Sequence, residues 1–182
     1  CESAAESGNI SVDTTATTCK LSFGDGSVTF SPLSGEMTSY IHSGKEHVNQ
    51  SPAAFKGFLP NIYRAFLDND THYRDKWIAA GYDDYACVCS KFDAAVKDGK
   101  AVVTVDYRLK SDKSIRPLGK TEIIYTVYAN GVIDIKASFE PVSHKLLAAH
   151  MPRFGLTLEM PECFGNVQYY GMGKEENLSD LY

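Results

Sequence analysis

The sequence predicts an all-β fold, a large antiparallel β-sandwich with one short helix. Three observations predict it: short runs that alternate apolar and polar residues, turn residues between those runs, and an aromatic share of 12% that includes 11 tyrosines. Alternation with a period of two is typical of half-buried strands, and ten or so such runs indicate a two-sheet sandwich. With 182 residues, 43% of them hydrophobic, the chain suits one domain with a substantial core.

The N-terminal part of the chain predicts a β-meander. Residues 1–8 are small and polar, and we assign them to a linker or to the edge of a cut in a longer chain. We assign residues 9–182 to the β-sandwich domain, which we interpret as truncated relative to its parent. From residue 9 onward the alternating runs are separated by the turn signals GDG, SG and SG. Such dipeptides favour tight connections between antiparallel strands.

A looser stretch and a helix come next. Residues 50–67 contain proline, glycine and scattered aromatics, which predicts an extended connection lying over the surface. In the following segment Tyr73, Trp77 and Ala80 share one helical face. Gly81 stands where a left-handed C-terminal cap belongs, so one short helix is predicted here.

Strand patterns then resume. Asp98-Gly99 and Asn130-Gly131 predict two-residue hairpins, because both central residues of a type I′ turn need positive φ. The predicted strands are DYACVCSKF, KAVVTVDYRLK, GKTEIIYTVYAN, GVIDIKASFEP, RFGLTLEMP and NVQYYGMG.

Charge and hydropathy exclude two classes of partner. The net charge is −5, with 18 basic and 23 acidic residues, and no stripe of lysine and arginine is present to bind a phosphate backbone. No apolar run approaches the roughly twenty residues that cross a bilayer. We therefore expect neither nucleic acid nor membrane as a partner. An N-terminal Cys1 is compatible with an acylated lipoprotein or with a cut inside a longer chain.

Neither the cysteines nor the histidines have the spacing of a metal site. The five cysteines lack paired C-x-x-C motifs, and the five histidines are dispersed, without a nucleophile-elbow serine or cysteine. Cys87 and Cys89 lie two apart on a predicted strand, so they face the same way, and we interpret them as small buried hydrophobic residues. Arg153 follows Pro152 at the start of a predicted strand and is a candidate partner for a carboxylate inside the sandwich.

The motif Asp68-Asn69-Asp70 is the main candidate for chemistry. Two carboxylates two apart on an extended chain point the same way, at roughly 6.5 to 7 Å between Cα atoms. Such a pair is compatible with glycoside hydrolysis or with binding of a hard cation. The structural alternative is that Asp70 or Thr71 caps the helix while Asp68 orders the turn. The residues alone leave these alternatives open.

The order of the motifs along the chain carries a family resemblance. LDND, a W-x-x-A-G helix, MPRFGL and YYGMGKEENLSD, in that order, resemble the C-terminal β-sandwich of the bacterial β-galactosidases of glycoside hydrolase family 2. The resemblance covers about residues 9–180. Lys174, Leu178 and Leu181 depart from the residues usual in the family. The resemblance implies a supersandwich of the galactose-mutarotase type, and it favours a cut in a longer chain over lipidation at Cys1.

The resemblance also implies a division of labour. The catalytic glutamates of the family lie on a TIM barrel, so this chain is expected to be a non-catalytic part of a retaining β-galactosidase acting on terminal β-D-galactosides. The barrel of the same parent chain is then its partner, magnesium and sometimes sodium belong to that barrel, and no cofactor is expected here. A homo-oligomer is left open, and so is a cytoplasmic or periplasmic location. The implied substrate-adjacent residues are Asp68, Asn69, Asp70, His72 and Arg74.

Two other functions remain as alternatives. An independent carbohydrate-binding module is expected to bind galactosides alone, with Tyr73 or Trp77 stacking on the sugar ring. An aldose epimerase on the same kind of sandwich needs a carboxylate base and a histidine acid in one cleft. If the sandwich is cut before its last strands, an open edge remains, which predicts self-association or marginal stability.

Overall fold

The computed structural model describes residues 8–52, 54, 57–141 and 151–169. It confirms the all-β class: the described strands form three antiparallel sheets, accompanied by one α-helix and one short 3₁₀ helix. In chain order the strands are β1 (Ile10–Thr14), β2 (Cys19–Phe23), β3 (Gly26–Phe30), β4 (Met37–His42), β5 (Lys45–Glu46), β6 (Leu59–Asn61), β7 (Ala86–Lys97), β8 (Lys100–Lys110), β9 (Gly119–Val127), β10 (Ile133–Pro141) and β11 (Gly155–Thr157). The α-helix, α1, is Arg74–Ala80.

Two of the sheets are meanders, as the sequence predicts. The first has the strand order β1-β2-β3-β4-β5 and the second the order β10-β9-β8-β7. In β8 the side chains at 101, 103, 105, 107 and 109 are buried while those between them are less so, because successive side chains on a strand face opposite ways. The alternation read from the sequence therefore identifies the core face of this sheet.

The two meanders pack face to face around an apolar core. Phe30 of the first sheet lies edge-on against Tyr125 of the second, with 5.0 Å between ring centroids, and 6.2 Å from Phe92. Leu21 and Val28 have no exposed surface, and the inward apolar residues of β8 and β9 are at most 1% exposed. Burial of this apolar area drives the association of the two sheets.

The stretch between the meanders is more buried than the sequence predicts. Residues 50–67 were expected to form a connection over the surface, but they contain β6, which pairs with β11 in a third sheet. Pro60 is buried and Ile62 has no exposed surface. A three-residue strand among prolines carries no alternation, so periodicity gave no signal for it.

The helix forms as the sequence predicts. Trp77 is 3% exposed, and Tyr73 and Ala80 pack partly buried against the same core. Gly81 ends the helix at φ 85°, and its N–H donates to the carbonyl of Ile78. No helix among the described residues is long and apolar enough to cross a membrane.

One of the two predicted hairpin turns is correct and the other is wrong. Asp98 and Gly99 have φ of 51° and 72°, as a type I′ turn requires. Asn130 lacks positive φ; instead five residues, 128–132, separate β9 from β10, and among them only Gly131 is left-handed, at φ 84°. The N–H of Gly131 donates to the carbonyl of Tyr128, so the Asn-Gly pair occupies the last two positions of a turn rather than its centre.

Two further expectations need correction toward the C-terminus. The segment NVQYYGMG was predicted as a strand, but its described part, residues 166–169, forms none. Arg153 was proposed to pair inside the sandwich, yet its side chain is exposed. The remainder of NVQYYGMG, the motif ending at Asp180 and residues 1–7 lie outside the described residues, as do His144 and His150.

Candidate functional site

The turn that carries Asp68, Asn69 and Asp70 is held by an ion pair between the half-buried Arg64 and the buried Asp70. Nη1 of Arg64 donates to Oδ2 of Asp70 at 2.6 Å and Nη2 donates to Oδ1 at 3.0 Å. The two parallel bonds give the bidentate geometry in which an arginine fixes a carboxylate in one orientation. Asp70 is 7% exposed, and it is the only buried carboxylate among the residues with a described environment.

Backbone bonds complete the turn. The carboxylate of Asp70 accepts the N–H of Leu67 at 2.7 Å, while the N–H of Asp70 donates to the Leu67 carbonyl at 2.9 Å. Thr71 donates its hydroxyl to the Asp68 carbonyl at 2.7 Å. The Arg64 hydrogen bonds and the Leu67 N–H hold the pKa of Asp70 below its ordinary value, because each favours the charged carboxylate.

The geometry overturns the extended-pair interpretation of Asp68 and Asp70. Asp68–Asp70 is a 3₁₀ helix, so its first and last residues do not share a face as they would on a strand. Asp68 is exposed while Asp70 is buried. The capping expectation is also wrong for α1: its N-cap is Tyr73, which makes no side-chain cap bond. Asp70 orders the turn instead of the helix.

Arg64 connects this turn to the chain near β11. Its Nε donates to the carbonyl of Pro152 at 3.1 Å, and Nη1 also donates to the carbonyl of Ala65 at 2.9 Å. One guanidinium thus contacts the Asp70 carboxylate, the backbone carbonyl of the neighbouring Ala65 and the carbonyl of Pro152, which lies 88 residues further along the chain. The sequence analysis did not predict a role for Arg64. The arginine stands six residues before Asp70, but the sequence does not show that the two side chains meet.

Aromatic rings from residues on both sides of the turn stack on one another. Phe66 stacks on Trp77 with 6.1 Å between centroids and 12° between planes, and Tyr73 stacks on Trp77 at 6.0 Å and 20°. Arg74 lies over the Phe66 ring at 5.1 Å. Because both neighbours cover the Trp77 ring, and only 3% of the residue is exposed, its face is closed to a sugar.

The predicted substrate-adjacent residues divide into two groups. Asp68, Asn69, His72 and Arg74 are exposed along the turn and the first residue of α1, whereas Asp70 is buried beneath them. The first four residues therefore lie on one short surface segment, and the buried Asp70 holds that segment in place. Contact of any of them with substrate stays a prediction.

A large cavity elsewhere in the fold was missed by sequence reasoning. It has a volume of about 590 Å³, and its walls come from the β3–β4 connection, the β6–β11 sheet and the connection from α1 to β7. The residues that line the cavity come from four separate segments, so no local sequence motif predicts it. The lining residues are Ser34, Glu36, Leu59, Pro60, Asn61, Tyr63, Tyr82, Asp83, Asp84, Tyr85, Ala86, Cys87 and Thr157.

The cysteines and histidines of the described segments form no metal centre. No group of three or more histidine, cysteine, aspartate or glutamate side chains suited to a metal occurs there. Cys87 and Cys89 are free and share a half-buried face, and both pack against the core as predicted. Burial raises the pKa of the Cys87 thiol to about 12, which makes it a poor nucleophile.

Fold and site together define a class: an all-β sandwich domain in which the buried carboxylate of Asp70 orders a surface turn. A family model described as "Beta galactosidase small chain" matches residues 23–181. The chain belongs to this family.

Curated relatives point the same way. The chain is 26% identical over 161 residues to a β-galactosidase of Halalkalibacterium halodurans, covering 86% of this chain and 15% of the relative. It is 28% identical over 120 residues to one of Staphylococcus xylosus, covering 66% and 12%, and 26% identical over 156 residues to one of Clostridium acetobutylicum, covering 83% and 16%. The chain thus spans about a seventh of the length of these relatives.

Proposed function

We propose that this chain is the non-catalytic C-terminal β-sandwich region of a retaining β-galactosidase that hydrolyses terminal β-D-galactosides. The observation that carries the proposal is the family match over residues 23–181. It is supported by relatives named β-galactosidase, in each of which a segment of 12 to 16% of the length corresponds to this chain.

The carboxylates support a non-catalytic role. A retaining glycosidase needs two carboxyl groups about 5 to 5.5 Å apart, one of them able to hold a proton near neutral pH. The low pKa of Asp70, caused by Arg64, keeps that carboxyl ionised and engaged. Asp68 is exposed and lies at the other end of the 3₁₀ turn. Neither residue has the surroundings of a general acid.

The turn supports a role at the rim of another domain's pocket. Asp68, Asn69, His72 and Arg74 are exposed on a short segment that is fixed by the Arg64–Asp70 pair and by the rings around Trp77. A rigid support is what a substrate-positioning loop needs, since small displacements weaken catalysis strongly. We propose that this segment faces the TIM barrel of the same parent chain and contributes to the rim and to assembly.

A chromogenic β-galactoside assay tests the proposal. The purified 182-residue chain is expected to show no turnover. The Halalkalibacterium halodurans enzyme without its matching segment is expected to be inactive, and insertion of this chain at that place is expected to restore activity. Turnover by the isolated chain that is abolished by Asp68→Ala would contradict the non-catalytic role. A folded but inactive chimera would contradict the supporting role.

A second set of chimeras tests the rim. Asp68→Ala and Asn69→Ala are expected to raise KM or lower kcat by about tenfold, because they remove contacts made at the pocket entrance. Asp93→Asn, on the exposed face of β7, is the matched control and is expected to leave both constants unchanged. Unaltered kinetics in both turn variants would remove the assignment of these residues to the rim.

A further inference from the structure

The cavity of about 590 Å³ has the size of a small-molecule site. Asn61 and Thr157 come from the paired strands β6 and β11, Glu36 from the β3–β4 connection, and Asp84 and Tyr85 from the chain leading into β7. Four segments that are distant in sequence therefore supply one concave surface.

The tyrosine wall of the cavity is fixed in place. The Tyr85 hydroxyl donates to the carbonyl of Pro60 at 3.0 Å and accepts the N–H of Ile62 at 3.1 Å, so both of its hydrogen-bonding functions are engaged with the backbone. Tyr63 meets Phe66 edge-on, with 5.8 Å between centroids at 85°. Rings held in this way offer a preorganised apolar surface, on which the C–H face of a ring ligand packs at little entropic cost.

Hydrogen-bond donors and acceptors line the same cavity. The Asn61 amide nitrogen donates one hydrogen to Thr157 Oγ1 at 3.0 Å, and its carbonyl accepts the Tyr63 N–H at 3.1 Å. An amide nitrogen carries a second hydrogen, and a hydroxyl that accepts still has its own hydrogen to donate. Asn61 and Thr157 thus bring donors to a wall that also holds carboxylate acceptors.

The charge of the described lining disfavours an anion. No lysine, arginine or histidine lines the cavity in the described part of the chain, whereas Glu36, Asp83 and Asp84 do. Lys113 binds both oxygens of Asp83 at 2.8 Å and neutralises that carboxylate. Glu36 accepts the Ser34 hydroxyl at 3.0 Å, which orients its carboxylate beside the wall. Phosphate or another carboxylate is repelled by such a surface.

The mixture of donors and acceptors distinguishes a neutral polyol from a cation. An ammonium ion only donates, so it satisfies the carboxylates of Glu36 and Asp84 but leaves the donors of Asn61 and Thr157 without an acceptor. A sugar hydroxyl donates and accepts, and the face of a sugar ring suits the tyrosine wall. We propose that this cavity is a saccharide-binding site that takes a neutral β-galactoside. The choice of galactoside among neutral sugars rests on the proposed function.

Titration of the 182-residue chain with methyl β-galactoside, followed by amide chemical shifts, tests the site. Saturable shifts are expected in residues 59–61, 83–86 and 157, with a Kd of about 1 to 10 mM, the range of a small open site. Asp84→Asn and Glu36→Gln are each expected to weaken binding about tenfold, because each replaces a charged acceptor for a sugar hydroxyl by a weaker neutral amide. Asp93→Asn, exposed on β7, is the matched control and is expected to bind like the parent.

Three results overturn the proposal. The first is the absence of saturable shifts up to about 100 mM galactoside. The second is binding that survives both carboxylate variants unchanged. The third is a response to putrescine but not to the galactoside, which makes the cavity a cation site. Asp84 is exposed and its replacement is expected to fold, so the test stands even if Glu36→Gln does not. Because the isolated chain is used, failure here is separate from failure of the chimera assay.

Discussion

Asp70 lies under the guanidinium of Arg64, and this contact decides what its carboxyl can do. A carboxylate with two charge-assisted bonds and a backbone N–H remains ionised well below neutral pH. It is therefore suited to holding a turn and unsuited to donating a proton. A local pattern of two aspartates around an asparagine does not show this, because the deciding partner lies outside the motif and the backbone is a 3₁₀ turn, not a strand.

The lowered pKa of Asp70 predicts a pH-dependent contribution to stability. A carboxyl whose folded pKa lies below its unfolded value stabilises the fold above the unfolded pKa, about 3.9, and loses this contribution as pH falls through the folded pKa. In urea unfolding, the stability difference between the parent and Asp70→Asn is expected to be constant above about pH 5 and to shrink below about pH 4. Asp68→Asn, exposed and outside the ion pair, is the control. A difference that stays constant down to acid pH would contradict the assignment.

Arg64 is predicted to hold the turn through its geometry and not through its charge alone. Arg64→Lys keeps the charge but loses the bidentate contact with Asp70 and the bond to Pro152, because an ammonium is a single point donor. Hydrogen exchange of the Leu67 amide, which donates to Asp70, is expected to accelerate about tenfold or more. Arg74→Lys, at an exposed arginine over Phe66, is the matched control. If the Leu67 amide exchanges at the same rate in Arg64→Lys as in Arg74→Lys, the positive charge at position 64 is sufficient to hold the turn.

The elements themselves were largely predictable from the sequence. The two meanders, the helix with its Trp77 face and the turn at Asp98-Gly99 follow from periodicity and from residues that tolerate positive φ. The sheet of β6 and β11 was not predictable, since three-residue strands carry no period and their pairing joins residues 94 or more apart, as in Gly155 with Asn61. The cavity was missed for the same reason: its walls come from segments that are distant in the sequence, and that pairing brings two of them together.

Two left-handed glycines provide a test at the scale of elements. Gly81 and Gly99 have φ of 85° and 72°, but a Cβ at Gly81 meets the side chain of Ser111, whereas one at Gly99 meets nothing within 4 Å. Gly99→Ala is expected to cost about 1 kcal/mol, the penalty of the left-handed backbone. Gly81→Ala is expected to cost about 3 kcal/mol, because steric crowding adds to the same penalty. Equal losses in chemical denaturation would show that α1 and Ser111 move apart freely.

At the scale of the whole molecule, β7 and β10 are the two edges of the four-stranded sheet formed by the described residues. β7, at one edge, is interrupted by a register shift between Cys89 and Lys91, which discourages pairing with another chain. β10, at the other edge, pairs with β9 in unbroken register over nine residues. A regular edge strand is a template for a further strand, so β10 is the edge at which self-association is expected.

Sedimentation velocity tests the β10 edge. The sedimentation coefficient of the chain is expected to rise over about a hundredfold range of concentration, because association follows mass action. Ser138→Lys, on the exposed face of β10, is expected to reduce this rise, since an added charge at an edge opposes pairing. A monomer at every concentration would show that the edge is protected.

The bond from Arg64 to the carbonyl of Pro152 also has a consequence for the order of folding. It spans 88 residues, and the meander of β7 to β10 lies within that span. Contacts between neighbouring strands close short loops and form early, whereas closing a long loop costs more chain entropy and slows the contact that depends on it. The Asp70 turn is therefore expected to acquire its final anchor only after the second sheet is complete, and the exposed segment above it is expected to become rigid only in a chain that has finished folding.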